Sequence, residues 1–319
     1  MRSIEELGQF YTDNLLPDLK QLDLERKKLV KKVCIIDGTI LLVMLFFIVL
    51  LVFGHSTSNF FDLIIPLCFV AIIAVYKKLT ANYVNDFKSA IIEKIIVFID
   101  PDLLYKKKSF ISKVEFITSM IFTHIPDIHR GDDFVEGTIG KTNIRFSEIH
   151  SEYKTRDSKS RTSWNTIFKG LFFISDFNKN FNGETFVLPD TAEKLLGNLG
   201  TFFQKANSSK GQLVKLEDPE FEKEFVVYSN NQVEARYILS TSLMKRIVDF
   251  KKKTDKKVYL SFAGSKIHVA ISYSKDLFEP RFFRTIVDFT PVFEYYQDLA
   301  LAIGIVEDLN LNLRIWTKE

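Results

Sequence analysis

The sequence predicts an α+β protein. Residues 1–100 read as a transmembrane helical hairpin with cytoplasmic helical extensions, and 101–319 as a cytoplasmic domain of antiparallel sheet with packed helices. Three observations predict this. The apolar residues crowd into two runs near the start of the chain, the hydrophobic period on either side of those runs is helical, and beyond about residue 130 the period falls to that of strands.

The first apolar run, Val33 to Phe53, has 21 residues, of which only Asp37, Gly38 and Thr39 are not apolar. A bilayer-crossing helix takes ~20 apolar residues. Sixteen of the 21 are Leu, Ile, Phe or Val. Near the bilayer centre each contributes ~0.3 to 0.6 kcal/mol, which together outweighs ~2.5 to 3.5 for one Asp. The second run, Phe60 to Tyr76, carries eleven such residues in 17, with Asp62 at its edge and Pro66 inside. At 1.5 Å per residue it reaches ~26 Å, so it relies on flanking lysines or on its neighbour to cross a ~30 Å core. Gly54 to Asn59 forms a polar turn between the two runs.

Arg26, Lys27, Lys28, Lys31 and Lys32 precede the first run, Lys77 and Lys78 follow the second, and the turn holds no Lys or Arg. Positive charge marks the cytoplasmic side, so both termini are expected in the cytoplasm of a multi-pass inner-membrane protein. An apolar core starting at residue 33 without a small-x-small site does not fit a cleaved signal peptide. Asp37 and Asp62 lie near span ends, and a transport path built on them would require a homo-oligomer of two-span subunits.

Ser3 to Glu6 forms a capping box that opens a helix with Leu7, Phe10, Tyr11, Leu15, Leu19 and Leu22 at helical spacing, kinked at Pro17. Tyr83, Phe87, Ile91, Ile95 and Phe98 form a second stripe, ended by Asp100-Pro101. Burying one stripe against the other predicts a short antiparallel stalk. A further helix over Ser112 to Phe122 is expected to turn Val114, Phe116, Ile117, Met120 and Ile121 inward.

Asp132 to Thr138 and Asn143 to Tyr153 then read as strands joined around Gly140-Lys141, and Trp164 to Phe177 as a central strand apolar on both faces. Asn182-Gly183 is the strongest turn signal, so Phe186 to Leu188 is expected to fold back as a hairpin partner. A helix capped at Asp190 or Thr191 carries Leu195, Leu196, Leu199, Phe202 and Phe203. Short strands follow at Leu213 to Leu216 and Phe225 to Tyr228, then a helix from Ser240 or Thr241. Lys257 to Phe262 and Lys266 to Tyr273 form a hairpin about Gly264. Asp288 to Leu309 is helical, and Leu309, Leu311, Leu313 and Ile315 alternate as an edge strand.

Charge and composition exclude several functions. With 43 Lys and Arg against 40 Asp and Glu, the net charge of +3 gives no nucleic-acid footprint. Cys34 and Cys68 both sit in apolar runs, which excludes a disulfide scaffold and a Cys-ligated zinc. Lys169 to Phe177 superficially matches an RNA-reading strand, but Leu171 and Asp176 stand where stacking aromatics belong. The chain carries no Walker A loop, Gly-x-Gly-x-x-Gly turn, His-Glu-x-x-His helix or Gly-x-Ser-x-Gly elbow. Gly131 to Gly137 lacks the alternating oxygen ligands of a calcium loop and reads as a turn into a strand.

Two readings of the polar residues remain. Glu148, His150 and Glu152 alternate on one strand face, which suits a metal-assisted hydrolase if further ligands converge from elsewhere. Alternatively Glu148, His150, Glu152, Lys169, Asp176, Asn178 and Lys179, dense around strand ends and a turn, form the binding surface of a scaffold or sensor module for a protein or small-molecule partner. The second reading leads because no acid, base and nucleophile stand at motif spacing. Neither reading specifies a cofactor.

Gly131 to Gly137, Phe146 to His150, Phe168 to Phe173, Asp176 to Phe181 with Gly183 to Thr185, and Gln232 to Leu239 follow the apolar hairpin in an order that resembles a bacterial family of uncharacterised proteins with two N-terminal membrane helices. The resemblance covers most of the chain. It implies a bacterial inner-membrane protein and transfers no catalytic residue.

Overall fold

The computed structural model describes residues 3–53, 60–156, 160–190 and 211–311. The chain divides into two compact units. One comprises Arg2–Ile95 with Phe278–Tyr295, and the other Ile96–Leu277 with Tyr296–Glu319.

In the helical unit, Ser3 caps α1 (Ile4–Phe10) through the expected box: its hydroxyl accepts from the Glu6 amide at 3.1 Å, and its own amide donates to the Glu6 carboxylate at 2.7 Å. A π-helical turn over Tyr11–Leu15 follows, and α2 (Leu16–Phe53) begins just before Pro17. Proline lacks an N–H and crowds the carbonyl four residues back, here that of Asp13, and the wider turn makes room for it. Beyond residues 54–59, where a turn is expected and which lie outside the described residues, α3 (Phe60–Phe87) passes through a second π turn (Lys88–Ile92) into α4 (Glu93–Ile99).

The two stripes are buried: Leu7, Leu15, Leu19 and Leu22 from one helix, and Tyr83, Phe87, Ile91 and Ile95 from the other. Lys94 Nζ meets Asp18 at 2.6 Å, which places the start of α2 beside the end of the return helix, as antiparallel packing requires. Farther along, the helical stretches Ile4–Leu50 and Ile65–Ile99 are each long and apolar enough to cross a membrane, and only 6% of the most apolar window in each is buried. Leu42, Phe46, Leu67 and Val70 are among the side chains left bare.

Phe278–Tyr295, drawn from near the end of the chain, is fastened into this unit. Lys88, 3% exposed, pairs with Glu279 at 2.8 Å. The Arg26 guanidinium donates to the Phe282 carbonyl at 3.1 Å, and the Tyr11 hydroxyl donates to that of Val287. Tyr295 Oη closes the loop on the Glu279 carbonyl at 2.7 Å.

The other unit is built on a nine-stranded sheet in the order β1-β2-β3-β4-β9-β8-β5-β7-β6, with every pairing antiparallel. The strands are β1 (Leu104–Lys106), β2 (Ile128–Ile139), β3 (Thr142–Arg156), β4 (Thr162–Asp176), β5 (Thr185–Pro189), β6 (Gln212–Leu213), β7 (Phe225–Ser229), β8 (Val258–Ala263) and β9 (Lys266–Ser272). As its two apolar faces predict, β4 is interior, bonded to β3 on one edge and to β9 on the other. On one face Ile149, Phe168, Phe172, Ile174 and Ala270 join Phe116 of the short helix α5 (Lys113–Thr118) in an apolar cluster. On the other face Phe146, Leu171, Phe173, Val269 and Ile271 are equally buried. The remaining helices are α6 (Pro219–Glu224), α7 (Gln232–Ile238), α8 (Thr241–Thr254) and α9 (Phe289–Asp308).

Three expectations are corrected. The strand after Asn182-Gly183 does not return onto β4. Instead β5 pairs with β7 and β8, and the β8–β9 hairpin occupies the edge of β4. The Glu234 carboxylate accepts from the Asn182 amide at 3.1 Å and from the Gly183 amide at 2.9 Å, so the Asn-Gly pair serves a crossover rather than a two-residue hairpin. Helix α5 stops at Thr118, and Met120 takes a left-handed φ of 53°, which leaves Met120 and Val114 exposed while Phe116 and Ile121 are buried. The strand expected over Leu213 to Leu216 is reduced to β6, after which Val214 is buried and its amide bonds the Val227 carbonyl. The helix expected after Asp190 falls outside the described residues; the terminal strand expected from Leu309 is a turn, not a strand, as far as Leu311, and its remainder falls outside them.

Gly170 sits at φ 146° where β4 meets the end of β9, and a Cβ there would run into the Ile271 carbonyl oxygen and stand 2.8 Å from the Tyr273 amide. Strain together with backbone displacement in a packed strand predicts a loss of about 2 to 4 kcal/mol for Gly170→Ala. A fall in the thermal midpoint of the full-length protein checks it. An unchanged midpoint would mean that β4 and β9 separate there without penalty.

Candidate functional site

The polar patch is assembled by register. Asp132 opposes Glu148 and Val135 opposes Phe146, so Asp133 and Phe134 face the single residue Ser147 across a β-bulge. Asp133 takes the left-handed conformation, φ 57°, typical of the first bulge residue, and its carboxylate accepts from the Tyr105 hydroxyl. Beyond the bulge the pairing is offset by one, which brings Arg130 opposite His150, and His150 is in turn opposite Lys169 on β4. Three basic side chains thus form a row across β2, β3 and β4, because directly opposed residues share a face.

Each cation in the row has an acid. Arg130 Nη2 donates to Glu152 at 2.8 Å, and Lys169 Nζ reaches Asp276 at 2.8 Å. Arg130 Nη2 also approaches His150 Nδ1 at 3.0 Å. A guanidinium only donates, so Nδ1 accepts and the ring proton sits on Nε2, which lies 3.7 Å from Glu152. Partial burial, reinforced by the charges of Arg130 and Lys169, holds the His150 pKa below the usual histidine range. Its imidazole is therefore neutral near pH 7.

Glu148 lies two residues back on the same face, 7% exposed, and accepts from the Leu277 amide at 2.8 Å. Burial pushes its pKa up to about 8, and the negative charges of Asp132, Asp276 and Asp133 add to the rise against the amide hydrogen bond. At neutral pH this carboxyl keeps its proton. The three residues that alternate along β3 therefore differ in state: Glu148 is protonated and faces inward, His150 is neutral beneath a guanidinium, and Glu152 is bound to Arg130. Glu148 is turned to a backbone amide while His150 and Glu152 share a cation, so the trio is divided between two environments.

Asp176, Asn178 and Lys179 belong to a second place. Seven residues separate Lys169 from Asp176 along β4, or ~23 Å at ~3.3 Å per residue. Asp176 borders a shallow cleft of about 390 Å³ with Arg145, Ser175 and Lys266. Asn178 turns the chain at φ 55°. Lys179 stands 3.7 Å from Glu234 and over the Tyr237 ring at 4.5 Å, so it helps pin the crossover. The structure thus brings Glu148, His150, Glu152 and Lys169 together and sets the other three apart.

Sequence reasoning missed Arg130 and Asp276. Arg130 falls opposite His150 only through the bulge, and Asp276 is more than a hundred residues from Lys169 in sequence. Two histidine–serine pairs were also not visible at motif spacing. His129 Nε2 contacts the Ile111 carbonyl at 2.9 Å, and its Nδ1 lies 2.8 Å from the Ser151 hydroxyl. His268 lies 3.2 Å from Ser261. Both serines are completely buried, which suits a cross-strand tie rather than a nucleophile. Burial lowers the His268 pKa to about 4.

The charge state of the patch depends on pH with a definite sign. A carboxyl raised from 4.5 to about 8 by folding binds its proton more tightly in the folded chain. Its stabilising contribution is complete below the unfolded value and is lost as pH rises through about 8. The thermal midpoint of the wild type should therefore fall between about pH 4.5 and 8 relative to that of Glu148→Gln, measured across the same buffers. Parallel curves for the two proteins would contradict a protonated Glu148.

The profile of a protein family described as of unknown function (DUF3137) matches residues 166–311. That span includes Lys169 and Asp276 but not the strand bearing Glu148, His150 and Glu152. No curated protein matches the chain. Among solved structures, the crystal structure of the mycobacterial trehalose monomycolate transport factor A, TtfA, is similar at 12% identity, covering 70% of this chain and 93% of that one with a TM-score of 0.35. A likeness at that level leaves function to the residues themselves.

Proposed function

We propose that this chain is a membrane-anchored binding or scaffold module of a bacterial inner membrane. In this reading α2 and α3 cross the bilayer, both termini lie in the cytoplasm, and the sheet unit presents the Arg130, His150, Lys169 row to a cytoplasmic protein or small ligand. The observation that carries the anchor is the bare apolar surface of the paired helices, only 6% buried over each most apolar window, with exposed Lys31, Lys32, Lys77 and Lys78 at one end.

The patch supports binding because its cations are compensated by exposed or partly exposed acids, Asp276 at 60% and Glu152 at 16% side-chain exposure. An incoming acidic group can exchange for either acid without stranding a buried charge. The hydrolase reading is less favoured, since the Glu148 carboxyl is protonated and engaged by Leu277.

Protease added to intact spheroplasts should leave the sheet unit uncut, and disruption of the membrane should expose it. Digestion in intact spheroplasts overturns the orientation. Pull-downs from solubilised membranes should enrich a partner or ligand with wild type and lose it with Lys169→Ala or Arg130→Ala. Equal recovery with both variants removes the patch from the reading.

A further inference from the structure

The loop that follows Leu277 presents an apolar side chain to solvent where none is needed for packing. Phe282 is 6% exposed, edge-on to Tyr76 at 5.4 Å and to Tyr83 at 6.0 Å, yet the next residue, Phe283, is 66% exposed and stacks on Tyr76 at 6.2 Å with planes 16° apart. The loop is fixed in this position by the Arg26 guanidinium on the Phe282 carbonyl and by Lys88 on Glu279. Phe283 is therefore held out by a rigid mount.

Its surroundings identify what it meets. Tyr76 closes the second apolar run, and one turn earlier Ile73 is 55% exposed, followed back along α3 by Val70 and Phe69 at 62% and 52%. The Phe283 ring thus continues the bare apolar surface of α3 at its lysine-bordered end. Lys77, Lys78 and Arg284 are all exposed around it. An aromatic pair flanked by cations at the end of an apolar helix matches the boundary between acyl chains and phosphates, where aromatic rings settle and each nearby Lys or Arg is drawn to anionic lipid.

We propose that the turn at Phe282–Arg284 is a third membrane contact of this chain, with Phe283 inserted at the headgroup boundary of an anionic bilayer and Arg284 against its phosphates. The proposal rests on the anchoring of α2 and α3 and adds a contact made by sequence nearly two hundred residues beyond the end of α3. It makes the helical unit a reader of the lipid surface as well as a tether.

The test uses the full-length protein with Trp164→Phe and Trp316→Phe, so that a single indole reports. It is reconstituted in nanodiscs of phosphatidylcholine and phosphatidylglycerol brominated either high or low on the acyl chains. With Phe283→Trp, most of the emission should be lost to bromines high on the chain and little to those near the bilayer centre. Adding Arg284→Glu should weaken that quenching in anionic discs and leave it unchanged in purely zwitterionic ones. Phe46→Trp, within the apolar run of α2, serves as the reference and should be quenched by the deep bromines. An unquenched indole at position 283 beside a quenched one at 46 overturns the proposal, leaves the anchor standing and assigns Phe283 to a protein partner. An unquenched indole at both positions overturns the anchor itself.

Discussion

From Gly170 to Ser175 strand β4 is hydrogen-bonded along both edges and packed on both faces, and this double constraint organises the sheet unit. This buried stretch leaves no room for a partner to slip, because a shift of one residue would exchange Phe172 and Ile174 for Leu171 and Phe173 across the sheet. The register fixed there places Lys169 opposite His150 on one side and brings Gly170 against the end of β9 on the other. The polar patch and this close backbone approach thus adjoin because they lie at consecutive positions on this strand.

The patch itself is a balance of charges whose states are set by burial. Two ion pairs, Arg130 with Glu152 and Lys169 with Asp276, flank an uncharged imidazole and stand beside a carboxyl that keeps its proton. Such ion pairs between partly exposed groups stabilise little, on the order of 0 to 1 kcal/mol. They are therefore free to be exchanged for contacts with a partner at small cost. The buried Glu148 differs, since its removal from water is compensated by protonation and by the Leu277 amide.

Much of this was legible in the sequence. The capping box at Ser3, the helix start at Ser112, the central character of β4, the Gly140-Lys141 and Gly264 turns and the paired stripes follow from local patterns that the fold keeps. The failures have a common origin in distant partners. Asn182-Gly183 carries a hairpin signal that Glu234, some fifty residues away, redirects into a crossover. Arg130 could not be aligned with His150 without the extra residue at Asp133, whose left-handed backbone has no glycine to announce it. Of the seven polar residues gathered into one surface, the three from Asp176 onward were joined to the rest by nearness in sequence, whereas an extended strand carries them more than twenty ångströms away (~3.3 Å for each of seven steps).

Phe278–Tyr295 gives the helical unit a second origin in the chain, which bears on how the protein can be divided. A fragment starting at residue 101 would keep Phe282, Ile286 and Val292 but lose Arg26, Tyr76 and Lys88, baring a greasy hook with an orphaned acid at Glu279. The N-terminal helices cannot then be exchanged for an unrelated pair without rewriting this hook. The helical unit is complete only when the chain has been synthesised as far as Tyr295, because Phe278–Tyr295 belongs to it.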